Sequence, residues 1–278
     1  MTPPYDYLII GHVTRDLVTG GWQVGGTAAF AGQIGLALGL RTAILTSAPE
    51  DFPFAEKLPG LVVRNIPSET TTTFSNIYEN GHRHQIVHDV AAPLRPEHVP
   101  QAWRAIPIVH LAPLVAEVEP GIVDLFPDSL VGVTPQGWMR RWDQNGLVSA
   151  TRWRNAGPVI ARANAVILSE EDYPDEAALE EIRHDARLLV VTQADKGCQV
   201  HLRRESRHIP APAVPVNGPT GAGDTFAAAF LAHLHRSDGD VWAAAEFANE
   251  IAAHSVAVVT LAEKRQLVET MIKGVYAR

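Results

Sequence analysis

The stretch VNGPTGAGDTFAAAFLAHL, Val216 to Leu234, runs a glycine-bearing turn directly into an alanine-rich helix. Glycines at the entry let the backbone turn tightly and approach a ligand with no Cβ in the way. The first amides of the helix have no partner inside it and, with the helix dipole behind them, form an anion site. Phe226, Phe230 and Leu234 recur at helical spacing and mark the buried face. Asp224 stands beside the anion site, where a carboxylate repels the ligand unless its charge has a task. Taking a proton from a nearby hydroxyl is such a task. An anion hole with a carboxylate base is what phosphoryl transfer to an alcohol requires. The plainer alternative, an Asp capping an ordinary helix, stays open on this stretch alone. The chain has neither the GxxxxGK[ST] loop nor the protein-kinase catalytic loop, so any nucleotide is handled by another architecture.

Upstream of this turn, short apolar runs alternate with helical patterns. YLIIG (Tyr7 to Gly11), RTAILT, PIVHLA, LVGVT, NAVILS and RLLVVT read as buried strands, and TAAFAGQIGLALGL (Thr27 to Leu40) as a helix rich in small residues. Continuous apolar strands separated by helices predict a mostly parallel sheet covered on both faces. One region differs. TTTFSNIYENGHRHQIVH (Thr71 to His88) has two β-like runs around Asn80-Gly81 and is too polar for a central strand. It is expected to stand off the sheet as a lid or an oligomer contact. A second hairpin is expected from Gly197 to Pro210, and helices from Gly221 to His235, Val241 to Thr260 and Glu263 to Val275. The whole reads as one α/β domain, 1–278, with a small β lid from about 12–24 and 71–90.

The 278 residues carry 46% hydrophobic and 19% charged side chains, enough apolar content for a core of this size. A net charge of −8 argues against nucleic acid as the main partner. No apolar run reaches membrane-helix length, and MTPPYDYLII lacks the basic start and long apolar core of a signal peptide. A single cysteine, Cys198, excludes an intrachain disulfide. The expectation is a cytoplasmic protein that contacts no membrane.

PTGAGDTF resembles the C-terminal signature of the ribokinase-like PfkB carbohydrate kinases, and other segments follow that family's order. GHVTRD (Gly11 to Asp16) resembles the first strand ending in an acidic residue. GGTAAFAGQIGLALGL resembles the diglycine motif, and FSNIYENGHRHQIVH the lid hairpin. LSEEDY, VTQADKG and FANEIAAHS resemble the nucleotide-side segments. The resemblance implies a three-layer α/β/α ribokinase-like fold and transfer of the γ-phosphate of ATP to a hydroxyl of a sugar, polyol or nucleoside. Asp224 would be the base, with Gly221, Ala222 and Gly223 around the γ-phosphate. Asp16, Gly25, Gly26 and Phe30 would bind the acceptor. Thr220, Ser169, Thr192, Gly197 and Asn249 would line the donor. Mg2+ would ride mainly on the phosphates and waters, with Asp172 reaching it through water. Asp16 as a surface Asp at a strand end, Gly25 and Gly26 as plain turn glycines, and Asn249 as an exposed helix residue are the ordinary alternatives.

The departures from the family pattern are specific. Its NxxE is here Ser169-Glu170-Glu171-Asp172. The Asp that opens DTTGAGD, part of a monovalent-cation site in ribokinases, is Gly218, so potassium activation is not expected. Phe30 replaces an Asn of the diglycine motif, which argues against a plain ribose pocket and is reminiscent of inositol-kinase-like members. No glutamate stands near Ala112. These changes motivate the rival reading, an inactive ligand-binding sensor on the same fold. His82, His84 and His88 alternate on one strand, but without a fourth ligand at zinc spacing they read as a polar hairpin surface. Arg83 would reach over the acceptor if that hairpin closes. Trp138 and Trp142 are at helical spacing and are expected to pack. The acidic run from Glu170 to Glu181 reads as a solvated helix and its start, and Cys198 as a buried thiol. The lid edge is the surface through which a homodimer would form.

Overall fold

The computed structural model describes residues 3–79 and 82–276, and the side chains of residues 78, 79, 82, 83, 275 and 276 fall outside that description. The expected Asn80-Gly81 turn and the side chains of His82 and Arg83 therefore lie outside the described residues. In chain order the elements are β1 (Tyr7–Ile10), β2 (Thr14–Val18), β3 (Gly21–Gly25), α1 (Thr27–Ala37), β4 (Thr42–Ala48), α2 (Phe54–Lys57), β5 (Val62–Pro67), β6 (Thr72–Glu79) and β7 (His82–Asp89). Then follow β8 (Ile108–Leu111), β9 (Leu130–Val133), β10 (Arg140–Trp142), β11 (Val148–Ala150), α3 (Gly157–Arg162), β12 (Ala165–Ser169), α4 (Glu176–Asp185) and β13 (Leu188–Thr192). The chain closes with β14 (Cys198–Leu202), β15 (Glu205–Ile209), α5 (Ala222–Arg236), α6 (Val241–Ser255) and α7 (Leu261–Tyr276).

The main sheet has nine strands in the order β15-β14-β13-β12-β9-β8-β1-β4-β5. From β13 to β5 every neighbouring pair runs parallel, while β14 and β15 add an antiparallel hairpin at one edge. Successive side chains point to opposite faces, so each central strand feeds two cores. Tyr7, Ile9, Ile44, Ile108 and Val190 face one core, with Ile34 of α1, Phe226 and Phe230 of α5, Ile251 of α6 and Val268 of α7. Leu8, Ile10, Leu45, Val109 and Leu189 face the other, with Trp103, Phe126, Ile160 of α3 and Ile182 of α4. The result is the expected three-layer α/β/α arrangement.

A second sheet, β3-β2-β6-β7, stands apart from the first. Its inner face carries Phe74 and Val87, which pack on Val115 and Val148 in a small core of their own. Leu17, Val18 and Ile77 are exposed on it. None of the described helices is long and apolar enough to cross a membrane.

Several local expectations are corrected. GHVTRD is not the first strand: β1 ends at Ile10, and Asp16 lies in the middle of β2. The helix from Val241 stops at Ser255, not Thr260, because the Val256 carbonyl turns to accept the amides of Asn217 and Gly218 at 2.8 and 2.9 Å. Trp138 and Trp142 do not share a helix. Trp138 lies in a 3-10 turn, Pro135–Met139, and stacks on Trp153 at 5.3 Å, while Trp142 is exposed on β10. The β10–β11 hairpin has a signal in Asn145-Gly146, with Gly146 at φ 79°. The expected Gly197–Pro210 hairpin is present as β14 and β15.

Candidate active site

The sheet order reverses between β1 and β8. From β1 the chain moves outward to β4 and β5, and from β8 it moves the other way to β9, β12 and β13. Open α/β sheets bind ligands outside the carboxyl ends of the strands at such a reversal. The two strand ends touch here, since a Cβ on Gly11 would collide with the Ala112 carbonyl.

Asp16 is 6% exposed, and its Oδ1 accepts the Thr14 hydroxyl at 2.9 Å. It is a buried carboxylate rather than a surface Asp at a strand end. Gly25, its neighbour across the β2–β3 pair, has no room for a side chain, because a Cβ there would meet the Asp16 carboxylate and the Thr14 hydroxyl. Gly26 caps α1 at φ 88°, and its carbonyl accepts the Ala29 and Phe30 amides at 3.0 and 3.1 Å. A Cβ on Gly26 would press on the His12 carbonyl, so both the conformation and the space require glycine.

Phe30, one turn into α1, leads to the glycine turn before α5. Its ring occupies the space a Cβ on Gly221 would need, and Gly221 itself is left-handed at φ 81°. α1 packs on α5, so the path Asp16, Gly25, Gly26, Phe30, Gly221 is continuous from the β2 carboxylate to the start of α5. Asp224 follows in the first turn of α5, half-buried. Beneath it, the buried Tyr7 hydroxyl is pushed well above its usual range by burial and then by the Asp224 charge. That hydroxyl meets His110 Nδ1 at 2.9 Å, and His110 Nε2 meets the Thr134 hydroxyl at 2.9 Å.

On the expected donor side, Ser169 and Thr192 pair across β12 and β13 at their carboxyl ends. Asp172 Oδ2 accepts the Ser169 amide at 2.8 Å and Oδ1 accepts the Gln136 side chain at 2.9 Å. Its carboxylate thus braces the segment after β12, each oxygen already accepting one protein hydrogen bond. Among the described residues no group of three or more His, Cys, Asp or Glu side chains forms a metal site. Asn249 is 5% exposed and donates to the Ile209 carbonyl at 2.8 Å, so it is not an exposed helix residue. Gly197 lies under the same strand end, where a Cβ would strike Ile209, Pro210 and Ala211. Cys198 is buried, and burial pushes its thiol up to about 12.

Three buried groups had no motif to announce them. Glu117, 3% exposed, accepts the amides of His12, Leu114 and Val115 at 2.8–3.1 Å and ties the end of β1 to the loop after β8. It is not the acceptor-binding glutamate sought near Ala112, because its oxygens serve the backbone. His12 Nε2 donates to the Ala92 carbonyl at 2.9 Å, which leaves Nδ1 to accept the Thr72 hydroxyl at 2.7 Å. That ring pins the base of the small sheet. Lys264, fully buried, donates to the carbonyls of Gly218, Ser255 and Val258.

Residues 162–264 match the family model of the pfkB family carbohydrate kinases. A probable fructokinase of Arabidopsis thaliana is 31% identical over 91 residues, 32% of this chain and 28% of that protein. The fructokinase of Klebsiella pneumoniae is 29% identical over 157 residues, 51% of this chain and 50% of that protein. The alignments thus span half or less of each curated relative. Among solved structures, a pyrophosphate-dependent kinase in the ribokinase family, complexed with a pyrophosphate analog and myo-inositol, superposes with TM-score 0.79 at 21% identity, covering 95% of this chain and 99% of that one. Arabidopsis thaliana ribokinase complexed with ribose and ATP superposes with TM-score 0.71 at 19% identity, covering 98% and 99%. The GAGD turn and the whole following helix lie inside the stretch that matches the pfkB family carbohydrate kinases, and the fold is ribokinase-like throughout.

Proposed function

We propose that this chain transfers the γ-phosphoryl group of ATP to a hydroxyl of a small sugar or polyol, with Asp224 as the base. The observation that carries the reading is the unbroken path from Asp16 through Gly25, Gly26 and Phe30 to Gly221, set at the reversal of the sheet. Asp16, an acceptor-only carboxylate, takes hydrogen bonds from acceptor hydroxyls. Asp224, at the other end, takes the proton of the hydroxyl that attacks phosphorus. The amides of Gly221, Ala222 and Gly223 face the charge that develops on the phosphoryl oxygens. Mg2+, carried by the donor's phosphates, supplies charge neutralisation there, and no step depends on Asp172. The small sheet, hinged at His12 and Glu117, excludes water when it closes over the acceptor.

A second donor has a specific observation in its favour. Asn249 and Gly197, two residues expected along a nucleotide, are both engaged by residues 209–211. A donor without a base, such as pyrophosphate, asks for neither. Purified protein is to be given ATP or pyrophosphate against a panel of hexoses, pentoses, inositols and nucleosides, with released ADP or phosphate as readout. Acceptor-dependent release from ATP supports the first reading, and release from pyrophosphate alone the second. Ligand-induced stabilisation with no release from either donor favours the sensor.

A further inference from the structure

Lys264 lies in the first turn of α7 and is 0% exposed. Its ammonium donates to the Ser255 carbonyl at 2.6 Å, the Gly218 carbonyl at 2.7 Å and the Val258 carbonyl at 3.1 Å. Those three bonds use all its donors. No carboxylate forms an ion pair with it among the described residues. The adjacent Glu263 carboxylate accepts the amides of Val259 and Thr260 at 3.2 and 2.8 Å, and its charge acts on the ammonium without a direct bond to it.

A buried ammonium without a carboxylate is costly unless other groups replace its water. Here three carbonyls do so. Each comes from a different segment: the irregular approach to the phosphate turn, the last turn of α6, and the loop before α7. Ser255 belongs to the helix end where carbonyls lack helical partners and the dipole is negative. Three carbonyl dipoles aimed at one point repel each other, and only a cation or a triple donor holds them together. The Gly218 segment is gripped on its other side as well. Asn217 Nδ2 donates to the Ala257 carbonyl at 2.9 Å, and a Cβ on Gly218 would strike the Val258 carbonyl. Gly218 stands three residues before Gly221, the left-handed residue from which α5 starts.

We propose that Lys264 is a positioning residue for the phosphate turn, its ammonium serving as a built-in monovalent cation. By holding the Gly218 carbonyl it fixes the direction in which the amides of residues 221–223 face an anion. This role rests on the phosphoryl-transfer reading of that turn. Removing the side chain leaves a three-carbonyl cage that a free monovalent cation of suitable size fills.

The test compares wild type with Lys264→Ala in choline, potassium and ammonium chlorides at equal ionic strength. Pyrophosphate affinity by calorimetry, turnover and melting temperature are the readouts. Wild type is expected to be indifferent to the cation. Lys264→Ala in choline is expected to lose roughly tenfold in pyrophosphate affinity and in turnover, and to regain most of both in potassium or ammonium. Activation of wild type by potassium overturns the proposal, and so does a variant that neither cation rescues. If the cations restore the melting temperature but neither affinity nor turnover, Lys264 only stabilises the fold and the proposal fails. Should the variant not fold in choline, refolding yield in potassium decides: recovery supports the built-in cation, and no difference overturns it. If wild type transfers no phosphoryl group from any donor, the kinase reading falls, while cation-dependent pyrophosphate affinity still decides the role of Lys264.

Discussion

Gly221 shows what one residue carries at this site. Its left-handed backbone and the Phe30 ring both exclude a Cβ. Gly221→Ala is therefore expected to cost about 1–2 kcal/mol from the backbone alone, plus displacement of the ring. Turnover is expected to fall at least roughly tenfold. Adding Phe30→Leu should return part of the lost activity, because it relieves the collision but not the backbone strain. No recovery in the double variant would separate Phe30 from the turn. The glycines were legible from the motif, but the contact was not, since Phe30 and Gly221 are far apart in sequence. Gly218 was legible only as a missing Asp, because nothing local says that a lysine two helices further on, in α7, reaches its carbonyl.

His110 gives the residue scale a pH dependence. Burial holds its ring at about 3, below the ordinary 6.5, so it stays neutral between Tyr7 and Thr134 in the folded chain. The unfolded chain takes up that proton first. Stability from this group is therefore full above about 6.5 and is lost as pH falls toward 3, at roughly 1.4 kcal/mol per pH unit. Denaturant titrations from neutral to acid pH should show a shallower loss for His110→Gln, which can keep both hydrogen bonds. Equal slopes would contradict the buried neutral histidine.

At the level of elements, the central parallel strands were legible because both faces are buried and their runs are continuously apolar, whereas the edge strand β5, half-exposed and interrupted by Arg64 and Asn65, was not. The start of α5 was legible from its glycine turn. The end of α6 was not, because Val256 to Val259 continues in apolar residues while the stop comes from the Asn217 and Gly218 amides. The junction between the two sheets depends on Glu117, a buried carboxylate that sequence gave no reason to single out. Glu117→Ala leaves the His12, Leu114 and Val115 amides without their acceptor and is expected to cost about 2–4 kcal/mol in denaturant unfolding. A loss below about 0.5 kcal/mol would mean that the clamp is dispensable.

At the scale of the whole molecule, the three layers followed from the alternation of strands and helices, but the strand order did not. Parallel neighbours meet through crossovers, and no local pattern says that β1 sits between β8 and β4. That order matters because it places Asp16 and the diglycine turn at the reversal of the sheet. The measurement that tests the account most directly is acceptor-dependent phosphoryl transfer by wild type and Asp224→Asn, with donor binding followed in parallel. The account predicts that the variant binds donor as wild type does and loses about a hundredfold or more in turnover, since only the proton acceptor is gone. An Asp224→Asn variant that turns over as fast as wild type would contradict it.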